Sequence, residues 1–133
     1  MKIVVDTNIL FSFFWKNSLT KKLILNSSLE LYSPIYVIEE ILKYKSEIIK
    51  KTNINNDSFD HYLNELKDSI QLIKRIDYSD FLVDAMLLSP DEKDADFFAL
   101  CLKNSCPIWS NDLTLKKQEK IKVLTTKEII LLL

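Results

Sequence analysis

Apolar positions recur along this chain in two rhythms, short solid runs and a three-to-four spacing, and the runs alternate with the spaced stretches. Lys2 to Val5 is a β-branched run that stops at Asp6-Thr7-Asn8, the pattern of a buried parallel strand opening onto a loop or helix. Ile9 to Trp15 reads as helix and Leu19 to Leu25 as a second short one. A second strand is predicted over Leu29 to Ser33, with Pro34 suited to the first turn of a helix that continues through Lys50. That helix carries Val37, Ile38, Ile41, Leu42 and Ile48 at helical spacing. A polar turn over residues 53–58 follows, in which Asp57 or Ser58 is expected to cap a helix bearing Phe59, Tyr62, Leu63, Leu66 and Ile70.

Gln71 to Ile76 is the third predicted strand, and Ser79 or Asp80 opens a helix through Leu88 that Ser89-Pro90-Asp91 interrupts. Helical spacing resumes from Lys93 to Lys103, Cys106 to Trp109 forms a strand ending in Ser110-Asn111-Asp112, and Val123-Leu124 forms a last one. Thr125 or Thr126 is expected to cap a terminal helix from Lys127. Strands alternating with helices imply an α/β fold, a three-layer α/β/α arrangement around a central parallel sheet. No linker, repeat or low-complexity block divides the chain, so residues 1–133 are expected to form one domain. The apolar tail Ile129 to Leu133 is too short to span a bilayer and is expected to pack on the sheet.

Composition narrows the function. The chain has no glycine, which excludes the glycine-rich phosphate loops of P-loop and dinucleotide-binding proteins. Left-handed turn positions then fall to residues such as Asn17, Asn26, Asn55, Asn56 and Asn104. Eighteen basic residues nearly cancel nineteen acidic ones, so capture of a polyanion would rest on a local patch. Cys101 and Cys106 match no metal-ligand spacing and read as reduced thiols. With no apolar run near the ~18 residues of a membrane span and no secretory leader pattern, a cytoplasmic protein that engages no membrane is expected.

Two of the strand-like runs end in an acid, at Asp6 and Asp112, and in open α/β sheets ligand sites gather beyond the carboxyl ends of the strands. Either acid alone is accounted for as a local turn former. Glu39 and Glu40 lie among Val37, Ile41 and Tyr44, so one of the pair is expected to face inward. Asp91, Asp94 and Asp96 crowd the start of an apolar helix, where the helix dipole favours negative charge, and capping explains one of the three more easily than the set. Gathered in one cleft, Asp6, Glu40, Asp94 and Asp112 would repel one another unless a cation neutralised them or some took up protons. An all-oxygen donor set selects a hard ion, Mg²⁺ or Mn²⁺.

Four stretches carry a family resemblance: Val4-Val5-Asp6-Thr7-Asn8; Tyr32-Ser33-Pro34 leading to Glu39-Glu40-Ile41; Asp94 to Leu100; and Pro107 to Asp112. The chain resembles PIN-domain proteins and is similar to the toxin ribonucleases of toxin–antitoxin pairs. The resemblance implies Asp6, Glu40, Asp94 and Asp112 as metal-binding and catalytic acids, supported by Asn8 and by Ser110 or Asn111. Glu40 is preferred to Glu39 because it directly precedes Ile41. Asp94 is preferred to Asp96 because it shares a helix face with Phe98 and Cys101, whereas Asp96 shares one with Lys103, a wetter side. The implied activity is endonucleolytic cleavage of RNA, with an antitoxin protein and a second copy of the chain as partners. A non-catalytic module binding RNA or protein is one alternative. A haloacid-dehalogenase-like phosphatase is another, although its second aspartate is Asn8 here. Lys43, Lys45, Lys50 and Lys51 form one candidate basic surface and Lys116, Lys117, Lys120 and Lys122 another. Trp15 and Trp109 are expected in the core, and His61 on the surface.

Overall fold

A computed structural model describes residues 1–133. Five parallel strands form one sheet in the order β3-β2-β1-β4-β5: β1 Lys2–Val5, β2 Glu30–Pro34, β3 Gln71–Ile73, β4 Ile108–Trp109 and β5 Val123–Leu124. Every pairing is parallel, and β1 lies between β2 and β4, where Val4 stands opposite both Tyr32 and Ile108. Ile3, Val4 and Val5 are fully buried, as expected of a central strand covered on both faces. The strand order reverses direction beside β1, and ligands of open α/β sheets bind at such a switch point.

The helices are α1 Thr7–Phe11, α2 Leu19–Ile24, α3 Val37–Lys43, α4 Lys45–Thr52, α5 Asn56–Ser69, α6 Arg75–Tyr78, α7 Leu82–Leu88, α8 Ala95–Asn104 and α9 Thr126–Leu132. α8 buries Phe97, Phe98, Ala99, Leu100 and Cys101, packs against β1 and β2, and is covered in turn by α7. A single apolar cluster joins both sides of the sheet, with Phe14 stacked on Phe59 at 4.8 Å in the layer beneath α5.

The predicted α/β class, parallel sheet and five strands are all present, and several local expectations are corrected. The helix expected to run through Lys50 breaks at Tyr44 (φ −101°, ψ 14°) into α3 and α4, while apolar spacing continues across the break. The helix expected over residues 9–15 starts at Thr7 and tightens into a 3₁₀ turn over Ser12–Phe14. Pro34 ends β2 instead of opening a helix; it needs no donor there, because the next residue, Ile35, donates its N–H to the Ile73 carbonyl at 2.9 Å. Asn55, not Asp57 or Ser58, caps α5 by accepting the Ser58 N–H at 2.7 Å. Positive φ falls at Asn17, Asn53 and Ser105, so of the five asparagines named only Asn17 adopts it. In the tail Ile129 is buried, but Leu131 is 79% exposed. Trp109 is buried as expected; Trp15 is 40% exposed, against expectation. No helix is long and apolar enough to cross a membrane, and both cysteines are free thiols.

Candidate functional site

Asp6 follows β1 directly, and its backbone N–H donates to the Trp109 carbonyl at 3.0 Å, which ties it to the end of β4. It occupies the N-cap position of α1, yet its side chain makes no capping bond. Instead Oδ2 accepts the Ser110 hydroxyl at 2.7 Å across two neighbouring strands. Ser110 is fully buried and its Oγ also accepts the Asp112 N–H at 3.1 Å, so one serine holds both strand-end acids in relation to each other. Burial raises the Asp6 pKa, the Ser110 bond and the Thr7 N–H oppose that rise, and Asp112 adds to it.

Asp94 likewise stands at a helix N-cap position, that of α8, without capping it. The capping role falls to Asp91, whose Oδ1 accepts the Lys93 N–H at 3.0 Å and opens the 3₁₀ turn before α8. Burial, then the charges of Asp6, Asp91 and Asp112, raise the Asp94 pKa to about 6, with Lys93 pulling the other way. Asp6, Asn8, Glu40, Lys93 and Asp94 line a shared cavity of about 550 Å³. Glu40 is half-buried and Glu39 exposed, in line with the preference drawn from Ile41. On the other side of Asp6 and Asn8, a second hollow of about 370 Å³ is bounded by Ser12, Asn111 and Asp112. Asp6 and Asn8 therefore form a ridge, with Glu40 and Asp94 on one flank and Asp112 on the other.

Four sequence-level expectations change in detail. Asp112 carries a local duty: its Oδ1 accepts both the N–H (3.0 Å) and the hydroxyl (2.7 Å) of Thr114, which starts a 3₁₀ turn. Asn111 serves α9, accepting the Thr126 N–H at 2.8 Å and donating to its hydroxyl at 3.1 Å. Asp96 is not on a wet face. It accepts the Tyr78 hydroxyl at 2.6 Å and lies 3.4 Å from Arg75 Nε, with 16% of its side chain exposed, so its carboxylate is already committed. The four preferred acids also do not close on one point: no three acidic, histidine or cysteine side chains lie close enough as they stand to hold a metal ion.

Sequence reasoning missed Tyr36 and Lys93. Tyr36 precedes Glu40 by one helical turn, stands edge-on to Phe97 at 6.0 Å, and lines the acid cavity. Burial and then the carboxylates of Asp96, Glu40, Asp94 and Asp6 push its phenol well above the ordinary range, so it stays protonated and is a donor facing the acids. The i, i+4 relation to Glu40 was the available signal. None of Asp6, Glu40, Asp94 and Asp112 forms a salt bridge; the ion pairs of the molecule are Lys45–Asp60, His61–Glu65, Arg75–Asp96 and Lys116–Glu128.

A doubly wound parallel sheet with unpaired acids beyond the ends of its central strands defines an α/β protein whose site sits at the carboxyl edge of the sheet. The PIN-domain family model matches residues 4–132, and the chain belongs to the PIN-domain family, a family of nuclease type. No curated protein gives a significant match to the chain.

Proposed function

We propose that this protein is a metal-dependent endoribonuclease that hydrolyses internal phosphodiester bonds of RNA at the Asp6–Glu40–Asp94–Asp112 cluster. The observation that carries the reading is that none of these acids forms a salt bridge, while burial, and after it the charges of Asp6, Asp91 and Asp112, lifts Asp94 to about 6. Structural carboxylates are ordinarily paired or capped, so a set left unneutralised suits an external cation. The all-oxygen donor set fits Mg²⁺ or Mn²⁺. When bound, such an ion supplies positive charge against a phosphate and makes water a stronger nucleophile at neutral pH.

The chain's own residues divide the remaining work. Ser110 fixes the Asp6 carboxylate through Oδ2, and no cationic side chain neutralises its charge. Asp112 has Oδ2 free beside its Thr114 bonds. Asp94 has a proton affinity nearer neutrality than an ordinary aspartate and is suited to accept the proton of an attacking water. The Lys93 ammonium lines the same cavity and offers positive charge to a phosphate oxygen. The likeness to toxin ribonucleases extends the proposal to a cytoplasmic toxin with an antitoxin partner, and an apolar face on α6 and α7 supports a homodimer.

Purified protein with single-stranded RNA and Mg²⁺ or Mn²⁺ should yield internal cleavage products, suppressed by chelator. Asp6→Asn is nearly isosteric and should retain the fold while losing cleavage by on the order of a hundred-fold or more. Mn²⁺ should also raise the melting temperature of the parent and not that of the variant. Full activity in Asp6→Asn would refute the assignment. RNA binding with neither cleavage nor a metal-dependent shift would make the chain a non-catalytic RNA-binding module.

A further inference from the structure

Beside the acid cavity lies a smaller cleft that no catalytic role explains. Phe11 and Tyr44 line both spaces, so the acidic cavity and the aromatic cleft adjoin at these two rings. The aromatic cleft has a volume of about 180 Å³ and is bounded further by Trp15, Ile48 and Lys51. Trp15 is 40% exposed and Tyr44 38%, both unusual for large aromatic rings in a chain able to bury Trp109 and Phe59 completely. Phe11 meets the Tyr44 ring edge-on at 5.8 Å and 80°, which supports that ring from the side. The break between α3 and α4 falls at Tyr44 itself, so the kink in the backbone is what sets this ring where the two spaces adjoin.

We infer that the aromatic cleft is a stacking subsite for one unpaired nucleobase of an RNA strand whose phosphodiester lies in the acid cavity. The inference deepens the proposed function by naming the substrate as single-stranded at the position next to the cut. Each feature suits that occupant. Aromatic faces accept any base by stacking, and a base can reach them only when it is unpaired. The ammonium of Lys51 on the wall and that of Lys43, 5.7 Å from the centre of the Tyr44 ring, supply positive charge for the adjoining backbone. Lys45 is engaged with Asp60 and takes no part. Glu47 is the one acid on this wall, facing the single cation Lys51 there.

Trp15 makes the inference directly readable, because the only other tryptophan, Trp109, is fully buried. A short single-stranded oligoribonucleotide should quench the fluorescence of the chelator-treated protein, and the same sequence in a duplex should quench far less. Trp15→Ala should abolish the quench and weaken oligonucleotide binding by roughly ten-fold or more, while Trp15→Phe keeps most of the affinity. In cleavage assays Trp15→Ala should raise KM much more than it lowers kcat. Quenching without cleavage supports the subsite and sinks only the hydrolase reading. Cleavage with unchanged KM in Trp15→Ala overturns the subsite and leaves the hydrolase reading standing. Equal quenching by single strand and duplex, or protection of Trp15 only by a protein partner or a second copy of the chain, also overturns it.

Discussion

Asp6 and Asp94 both stand where an aspartate ordinarily caps a helix, and neither does so. Local capping is the first explanation for an acid at either position, and its failure distinguishes these two from Asp91 and Asp112, which do cap. The uncompensated charge has a consequence for stability. An aspartate whose folded-state pKa is raised destabilises the fold wherever it is ionised: the cost is full above about pH 6, shrinks as pH falls toward 3.8, and vanishes below. Asp94→Asn should therefore stabilise the protein in chelator at pH 8, by only about 1 kcal/mol because solvent screens a half-exposed carboxylate, and have almost no effect at pH 4. Denaturant midpoints at the two pH values measure this, and equal midpoints at pH 8 would remove the repulsion from the account. Asp6 and Asp112 were picked out by ending strand-like runs, while the choice of Glu40 over Glu39 came only from the family resemblance. The position of Asp96 was not legible in the sequence, since its partners Tyr78 and Arg75 lie some twenty residues upstream and meet it only in the folded chain. Ser110 was nameable as a neighbour of Asp112, but not as the donor to Asp6, a contact spanning 104 positions.

The segment from β4 to α9 shows how these short elements position the acids. β4 and β5 have two residues each, too few for pairing alone to fix the loop that carries Asp112. The N-terminus of α9 supplies the rest. Thr126 Oγ1 accepts both the Trp109 indole N–H at 3.0 Å and the Asn111 amide N–H at 3.1 Å, and Asn111 Oδ1 accepts the Thr126 N–H at 2.8 Å. Thr125 and Glu128 close a reciprocal capping box around the same turn. Thr126→Val keeps the shape and leaves the buried indole without an acceptor, so it should cost about 1–3 kcal/mol in chemical denaturation. It should also lower cleavage by loosening the Asp112 loop, whereas Thr125→Ala should cost only about 1 kcal/mol, the loss of a cap. A Thr126→Val protein as stable as its parent would show that the latch contributes nothing. β1 was legible because a solid β-branched run is a local signal, whereas β3 was drawn three residues too long, over the start of α6, and the cap of α9 was narrowed only to Thr125 or Thr126. The division at Tyr44 was not legible, because Ile41 and Ile48 keep helical spacing through it. The left-handed turns at Asn53 and Ser105 were missed for a related reason: without glycine several polar residues compete for each such position, and the exact exit of the helix decides among them.

With a net charge of −1 the molecule has no overall field to gather a polyanion, so the proposed RNA capture and the proposed homodimer would both rest on local surfaces. One such surface is apolar. α7 buries Ala85 against the rest of the fold and turns Val83, Met86 and Leu87 outward at 70%, 53% and 82% exposure, with Ile76 of α6 at 80%. Residues spaced i, i+3 and i+4 share one helical face, so the three on α7 form a stripe and not a scatter. Such a stripe is costly to leave in water and marks an association surface, which supports the proposed homodimer. Sedimentation at micromolar concentrations should then give twice the mass of one chain. The double substitution Val83→Glu and Leu87→Glu should return it to a single chain while the helical circular dichroism of the fold is retained, because both side chains already face solvent in the isolated chain. A parent protein that sediments as one chain throughout that range would overturn the dimer, and a dimer that survives the double substitution would move its interface elsewhere. Because neither Trp15 nor Asp6 belongs to this stripe, the double substitution should leave RNA cleavage intact unless the second copy contributes to the site.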